Sequence, residues 1–247
     1  MPDKRTHRGP HPEDAQLFAP SAWPPLHEAL ADFCWLLSRR YAPASALKLV
    51  GDRYQLAARQ RTALERCACS DASLARRRAC QVGPEALRGR EIWLDGYNVL
   101  TTVEAALGGG VILAARDGSF RDMASMHGSY RKVAETRPAL ELIGRTAEPY
   151  AAAAWIWYLD RPVSNSGRLK TIIQSLAAER GWPWRVELVP NPDPLLAATD
   201  EIVVTADSVI LDRCQRWFNL AAEVLGRHVP AANVVDLSRK PDASVNS

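Results

Sequence analysis

Short apolar runs alternate with longer amphipathic segments through the second half of the chain. Runs of strand length cover 92–94, 111–115, 153–159, 184–189 and 202–205, and a final one covers 233–237. Between them, apolar residues recur at helix spacing over 101–107, 123–130, 139–143, 167–180 and 207–225. Strands that alternate with helices predict an α/β fold with a mainly parallel sheet and helices on both faces.

The first half of the chain has helical periodicity only. Apolar residues recur at helix spacing over 25–41 and again over 43–64. We therefore predict a disordered tail over 1–22, a small helical module over 23–88, an α/β domain over 89–240 and a loose tail over 241–247. Two helices bury little apolar area alone, so the module is expected to pack onto the following domain.

Aspartates follow three of the apolar runs, at Asp95, Asp160 and Asp207. Ligands of open α/β sheets bind outside the carboxyl ends of the strands, so these side chains are expected at one cleft. Gathered carboxylates repel one another unless a cation compensates them, which indicates a magnesium or manganese site. The alternative is that each aspartate only caps the next helix. Further candidates as ligands are Asp117 and Glu104, whereas a rigid turn explains Asp193, which lies between two prolines.

A polar loop over 162–170 follows Asp160 and enters a predicted helix. Such a helix start offers free backbone N–H groups to a phosphate. Hydroxyls of Ser164 and Ser166 and the charges of Arg168 and Lys170 would add to it. The alternative is ordinary helix capping by Ser166.

Basic and aromatic residues near these carboxylates suggest a nucleic-acid partner. Arg116, Arg121, Arg131 and Lys132 surround His127 and are candidates for backbone contacts, and Tyr97, beside Asp95, is placed to stack on a base. A structural role for His127 is the alternative.

Charge is distributed unevenly along the 247 residues, whose net charge is +3. Residues 1–90 carry 15 Lys and Arg against 9 Asp and Glu, whereas residues 91–247 carry 16 against 19. A basic half beside an acidic half fits a polyanionic partner, although solvated helix faces explain the basic half equally well.

Other classes of protein are disfavoured by what the sequence lacks. It has no apolar run of membrane-spanning length, no apolar export signal, and an odd number of cysteines, namely five. We therefore expect reduced thiols and a cytoplasmic protein without a membrane partner. Neither GxGxxG nor GxxxxGK[ST] occurs, so a dinucleotide or P-loop site is not expected.

The motif Asp95-Gly96-Tyr97-Asn98 after a first strand, with Thr205-Ala206-Asp207 after a late one, resembles the PIN-like and NYN class of metal-dependent ribonucleases. Over about residues 25 to 225 the chain also resembles an uncharacterised prokaryotic family, the domain of unknown function numbered 434. That second resemblance rests on the stretches 45–54, 116–118 and 160–167.

The PIN-like resemblance implies that Asp95, Asp160 and Asp207 are metal carboxylates and that Asn98 is their neighbour at the site. It departs from the class because no acidic residue can be assigned before the third strand, where Asp117 or Glu104 would have to substitute.

The resulting hypothesis is a nuclease that uses Mg²⁺ or Mn²⁺ and acts on RNA, with Arg121 and the basic N-terminal helices holding the backbone. Two alternatives stay open: a nucleic-acid-binding module that has lost catalysis, and a small-molecule phosphohydrolase that binds phosphate at the loop 164–167. The sequence does not define an oligomeric state.

Overall fold

The computed structural model describes residues 7–123 and 130–238 of the chain. Its α-helices are α1 (Asp14–Leu17), α2 (Trp23–Ser38), α3 (Pro43–Arg53), α4 (Ala58–Cys67), α5 (Asp71–Cys80), α6 (Gly96–Leu107), α7 (Thr136–Ala147), α8 (Ser166–Arg180), α9 (Asp193–Ala198), α10 (Ser208–Leu211) and α11 (Leu220–His228). Its strands are β1 (Glu91–Asp95), β2 (Ile112–Ala114), β3 (Phe120–Asp122), β4 (Ala154–Asp160), β5 (Trp184–Val189), β6 (Ile202–Val204), β7 (Arg216–Trp217) and β8 (Val234–Asp236).

The main sheet has five parallel strands in the order β5-β4-β1-β6-β7. This confirms the prediction of an α/β protein with a parallel sheet. Both faces of the sheet are apolar, as expected for parallel strands that helices cover. On one face Leu94 and Trp157 pack with residues of α6, α7, α8 and α11, and on the other Ile156 packs with residues of α9 and α10.

A second, three-stranded sheet has the order β3-β2-β8. The segment predicted as the second strand, 111–115, therefore does not join the main sheet. Its apolar side chains form a separate core with the N-terminal helices, in which Leu113 and Val235 pack with Phe33 and Leu64. The expectation that the helical module packs onto the α/β domain is confirmed by this shared core.

Three predicted elements differ from the structure. Residues 7–22 were expected to be disordered, but they contain α1, in which buried Asp14 accepts a hydrogen bond from Arg59 Nη2 at 2.9 Å. The helix predicted over 43–64 is split into α3 and α4, because Gln55 adopts a left-handed φ of 51°. The helix predicted over 207–225 is divided into α10, β7 and α11.

Some predicted features lie outside the described residues. These are His127, most of the helix predicted over 123–130, and the tail predicted over 241–247. Within 7–123 and 130–238, no helix combines the length and the apolar character needed to cross a membrane.

Candidate active site

The pairing register of the main sheet brings the three predicted aspartates to one edge. In β1, Asp95 pairs with Tyr158 of β4, so Asp160 lies two residues further along that neighbouring strand. Leu94 pairs with Val204 of β6, so Asp207 lies two residues beyond the level of Asp95 on the other side. With about 3.3 Å per residue, Asp160 at the end of β4 extends roughly 6–7 Å beyond Asp95, whereas Asp207 follows β6 after two residues outside the strand.

This edge coincides with the reversal of strand order. The chain passes from β1 outward to β4 and β5, and then returns through α9 to β6 and β7 on the opposite side of β1. Ligands of open α/β sheets bind at such a reversal, outside the carboxyl ends of the strands. Asp95 and Asp207 flank it directly. We call Asp95, Asp160, Asp207 and the nearby Asp193 the acidic cleft.

The chain that follows β6 is hydrogen-bonded to the end of β1 and the start of α6. The Thr205 hydroxyl donates to Asp95 Oδ2 at 2.8 Å, and it accepts from the Asp207 backbone N–H at 2.9 Å. The Ala206 backbone N–H donates to Asn98 Oδ1 at 2.8 Å. Asn98 and Thr205 thus hold Asp95 and Asp207 in a fixed relation.

Close packing, not a special backbone conformation, accounts for Gly96. Its φ is not positive, so the backbone conformation here does not require glycine. A Cβ at this position would lie 2.6 Å from Leu159 Cδ2 and 2.9 Å from the Tyr158 carbonyl oxygen. The glycine therefore lets α6 begin directly against β4 and keeps Asn98 close to the strand ends.

Asp207 combines the two roles that the sequence offered as alternatives. Its Oδ1 accepts hydrogen bonds from the Val209 and Ile210 backbone N–H groups at 2.7 and 3.2 Å, so it caps α10. Its Oδ2 has no hydrogen-bond partner in the described part of the chain. Capping therefore leaves one carboxylate oxygen available at the cleft.

Burial and mutual repulsion raise the pKa values of three cleft carboxylates, those of Asp95, Asp160 and Asp193. Burial, with the carboxylates of Asp207, Asp193 and Asp160 nearby, raises the pKa of Asp95 to about 7, although its Thr205 hydrogen bond acts in the opposite direction. Burial and Asp193 raise the pKa of Asp160. Partial desolvation and the Asp207 carboxylate raise the pKa of Asp193, although the residue is exposed. Asp193 thus belongs to the cleft, although its flanking prolines made it a doubtful candidate.

No arginine, lysine or histidine of the described ranges forms an ion pair with any carboxylate of the acidic cleft. In the same ranges, no group of three or more His, Cys, Asp or Glu side chains converges closely enough to hold a metal ion. The cleft therefore gathers negative charge without a preformed set of three ligands.

Asp117 was predicted as a metal ligand, and its surroundings assign it a different role. Its Oδ1 accepts from the Ser119 backbone N–H and hydroxyl, and its Oδ2 accepts from Arg77 at 2.6 Å and Arg121 at 2.8 Å. Burial opposes ionisation, but Arg121, Ser119 and Arg77 hold the pKa of Asp117 below its usual value. Its side chain is fully buried and its acceptor positions are occupied, so it is not placed to bind a metal.

Arg121 was predicted to hold substrate, but its guanidinium is buried and occupied. It donates to Asp117, to the Arg66 carbonyl oxygen, and to the Ala206 carbonyl oxygen at 2.7 Å. Because Ala206 also binds Asn98, Arg121 helps to position the segment that carries Asp207. Its contribution to the site is therefore indirect.

Glu104 and Tyr97 are also internal. The Glu104 carboxylate is fully buried and accepts from Arg8, the Tyr130 hydroxyl and the Thr136 hydroxyl. It therefore ties the N-terminal segment to the chain that leads into α7 and does not face a ligand. The Tyr97 ring packs against Tyr130 with centroids 5.3 Å apart and belongs to the core, which corrects the prediction that it stacks on a base.

The predicted phosphate loop is built differently from either alternative. Ser166 is buried and its hydroxyl donates to the Arg161 carbonyl oxygen at 3.1 Å, so it neither caps α8 nor faces a ligand. The residue before α8 is Asn165, in a left-handed conformation with φ 69°. Ser164 and Arg168 are exposed, and Lys170 is half-buried.

Two contributions to the site were absent from the sequence prediction. The motif over 205–207 includes Thr205 but assigns no role to its hydroxyl. The one sequence signal for its contact with Asp95 is that Thr205 directly follows the apolar run of β6. The anchoring role of Arg121 has no local signal, because its partners Arg66 and Ala206 are distant in sequence.

Fold and site together define an α/β protein with an acidic cleft at the strand-order reversal of a parallel sheet. Comparison with known proteins adds a family. Residues 84–223 match the family described as Domain of unknown function (DUF5616), and residues 25–79 match the one described as Protein of unknown function (DUF434).

The chain is also similar to "Uncharacterized protein MJ0935" of Methanocaldococcus jannaschii, with 31% identity over 186 residues that cover 75% of this chain and 88% of the relative. No solved structure matches the chain. The chain belongs to the DUF5616 family and carries a DUF434 segment at its N-terminal side. The resemblance to family 434 is thereby confirmed for residues 25–79, while the following part matches under its own description.

Proposed function

We propose that the protein is a divalent-metal-dependent nuclease that acts on RNA at the acidic cleft. The observation that carries the proposal is the gathering of four carboxylates without a protein counter-charge in the described ranges. Uncompensated carboxylates cost stability, so their presence at a ligand-binding edge supports a site that a cation completes. The resemblance of residues 95–98 and 205–207 to PIN-like and NYN ribonucleases points the same way.

The oxygen-only donor set fits Mg²⁺ or Mn²⁺. Mg²⁺ usually takes one or two protein carboxylates and fills its other positions with water and substrate phosphate oxygens, so three converged ligands are not required. One or two of Asp95, Asp160 and Asp207 would hold the ion directly, which when bound activates water and stabilises charge on a phosphoryl oxygen.

Thr205 and Asn98 would position the carboxylates of the acidic cleft. Thr205 orients the Asp95 carboxylate, and the Asn98 carbonyl oxygen fixes the segment of Asp207. Among the described residues the Asn98 amide nitrogen has no hydrogen-bond partner, so it would be available to donate to a substrate oxygen. Asp95 lies between Asp160 and Asp207, an arrangement that suits a substrate entering from the carboxyl ends of the strands.

A nucleic-acid-binding module without catalysis is the second candidate. The observation that favours it is that, in the described ranges, no three acidic, histidine or cysteine side chains converge. This candidate predicts salt-sensitive RNA binding without turnover under any metal.

The test is cleavage of a labelled mixed-sequence RNA by the full chain with Mg²⁺, Mn²⁺ or EDTA. The parent is compared with Asp95→Asn and with Glu65→Gln, which changes an exposed acid on α4 that has no ion-pair partner among the described residues. We expect metal-dependent cleavage that falls by about 100-fold or more in Asp95→Asn and is unchanged in Glu65→Gln.

Three outcomes would contradict the nuclease. RNA cleavage that persists in EDTA would exclude a requirement for a divalent metal. Cleavage by Asp95→Asn at the rate of the parent would exclude the acidic cleft as the catalytic site. RNA binding without cleavage under either metal moves the assignment to the binding module. Hydrolysis of p-nitrophenyl phosphate in place of RNA would instead support a small-molecule phosphohydrolase, which remains a prediction from the sequence.

A further inference from the structure

Five basic residues lie on two chain segments next to the end of β4, which carries Asp160. They are Arg131, Lys132, Arg161, Arg168 and Lys170, and we call them the basic rim. Four are exposed and Lys170 is half-buried. None of them forms an ion pair or a side-chain hydrogen bond with any residue of the described ranges.

Two hydrogen bonds bring the two segments of the basic rim side by side. The Tyr130 backbone N–H donates to the Ser164 carbonyl oxygen at 3.2 Å, and Asn165 Nδ2 donates to the Tyr130 carbonyl oxygen at 2.9 Å. Arg131 and Lys132 follow Tyr130 directly, and Arg161 follows Asp160 directly. The rim therefore begins where β4 delivers its carboxylate to the cleft.

The basic rim is anchored to the core. The Tyr130 hydroxyl donates to buried Glu104 and lies 3.0 Å from the Thr136 hydroxyl oxygen, and its ring packs against Tyr97. Arg8 binds the same Glu104 carboxylate. The segment that carries Arg131 is thus fixed to α6, which itself begins at the cleft, so the rim and the cleft keep a defined relation.

Local stability does not explain these charges. Arg168 lies in the first turn of the 15-residue helix α8, where the helix dipole disfavours a cation by about 0.3–1 kcal/mol, and Lys170 follows in the next turn. By contrast Arg116 and Arg121, which the sequence grouped with Arg131 and Lys132, are held by internal partners. The rim keeps its positive charge free for an anion from outside.

We propose that the basic rim binds the sugar-phosphate backbone of a nucleic acid on the β4–α8 side of the acidic cleft. This proposal deepens the proposed function by naming the surface that holds the substrate. It rests on that function only for the claim that the bound strand is then cleaved. Five cations on two segments exceed what one phosphate group contacts, which favours a polynucleotide over a mononucleotide.

The test measures binding without catalysis. Binding of a fluorescently labelled 20-nucleotide RNA is followed by anisotropy in EDTA between 50 and 200 mM salt, with the full chain. The rim variants are the double substitutions Arg131→Gln with Lys132→Gln, and Arg168→Gln with Lys170→Gln. The matched control is Arg88→Gln with Arg145→Gln, which removes two exposed cations outside the rim.

For single strands the slope of log K against log salt changes by about 0.7 per phosphate contact, so each rim pair is expected to reduce it by about 1.4. At 0.1 M salt this corresponds to a loss of affinity of about 10-fold or more. The control should bind RNA with the affinity of the parent. Thermal melting should show that all variants are folded. For the Arg168→Gln with Lys170→Gln variant this is expected because the substitutions remove cations from the N-terminal part of α8.

The outcomes separate this proposal from the nuclease. Rim variants that bind RNA like the parent overturn the rim, whether or not Asp95 is needed for cleavage. Rim-dependent binding by a protein that never cleaves supports the rim and contradicts the nuclease. Equal affinity for inorganic phosphate or for an acidic peptide, poly-glutamate, would overturn the assignment to a polynucleotide.

Discussion

Asp95→Asn should stabilise the folded protein at pH 8, because the buried Asp95 carboxylate has no cation partner among the described residues. Burial and the neighbouring cleft carboxylates raise the Asp95 pKa from 3.8 to about 7 in the folded protein. The folded state then binds this proton more tightly than the unfolded state. Stability is therefore highest below about pH 4, falls as the pH rises to about 7, and is constant above it as far as this group is concerned. A pKa difference of about three between the folded and unfolded states lowers the free energy of unfolding by about 4 kcal/mol at pH 8.

Asparagine removes the charge and keeps the shape. Its carbonyl oxygen can still accept from the Thr205 hydroxyl, which lies 2.8 Å from Asp95 Oδ2. We therefore expect Asp95→Asn to be more stable than the parent at pH 8 in EDTA, by up to about 4 kcal/mol, and by less than half of that at pH 5. Urea denaturation followed by tryptophan fluorescence measures the free energy of unfolding at each pH.

Asp117→Asn is the matched control, because Asp117 is equally buried but is paired with Arg77 and Arg121. Its folded pKa is lowered, so its charge stabilises the protein above about pH 4 and its loss should destabilise at pH 8. The reasoning is refuted if Asp95→Asn is no more stable than the parent at pH 8. A gain of the same size at pH 5 and pH 8 would refute it as well.

Further substitutions test the packing, the N-terminal anchor and the cap. Gly96→Ala should lower the free energy of unfolding by about 1–3 kcal/mol, because its Cβ meets the Tyr158 backbone, whereas Gly226→Ala in α11 has open space and should raise it by about 0.5–1 kcal/mol; urea denaturation compares the two. Arg8→Met leaves buried Glu104 without its cation and should cost about 3–5 kcal/mol in the same assay, and adding Glu104→Gln should restore much of the loss. Asp207→Ser keeps the cap of α10 and should retain the parent's stability while abolishing metal-dependent RNA cleavage, whereas Asp207→Ala should also lose about 0.5–2 kcal/mol; equal cleavage by the serine variant would show that Asp207 only caps.

The sequence predicted the elements whose signals are local. An apolar run followed by an aspartate marked the ends of β1, β4 and β6, and the parallel register then placed Asp95, Asp160 and Asp207 on one edge. That inference needed only strand length and the geometry of parallel sheets. The alternation of strands and helices likewise defined the α/β class.

The features that were missed depend on partners distant in sequence. Asp117 and Asp95 both lie beside turns in the sequence, yet only Asp117 meets Arg77, 40 positions earlier in the chain. The burial of Tyr97 follows from its contact with Tyr130. Residues 7–22 adopt a defined structure because Asp14 binds Arg59 and Arg8 binds Glu104. No window of local sequence contains these pairs, so pattern alone does not separate a paired carboxylate from an unpaired one.

The distinction between paired and unpaired charge is the strongest argument for function in this molecule. Asp14, Glu104 and Asp117 are buried and each is bound by arginine, as stability requires. The acidic cleft departs from that rule because buried Asp95 has no cation partner among the described residues, and the exposed basic rim beside it has no carboxylate partner there. They meet at Asp160 and Arg161, which are adjacent in sequence, and within the described residues they form no ion pair with each other. Two opposite charges held apart side by side suit a ligand that supplies both counter-charges, which a phosphodiester with its divalent cation does.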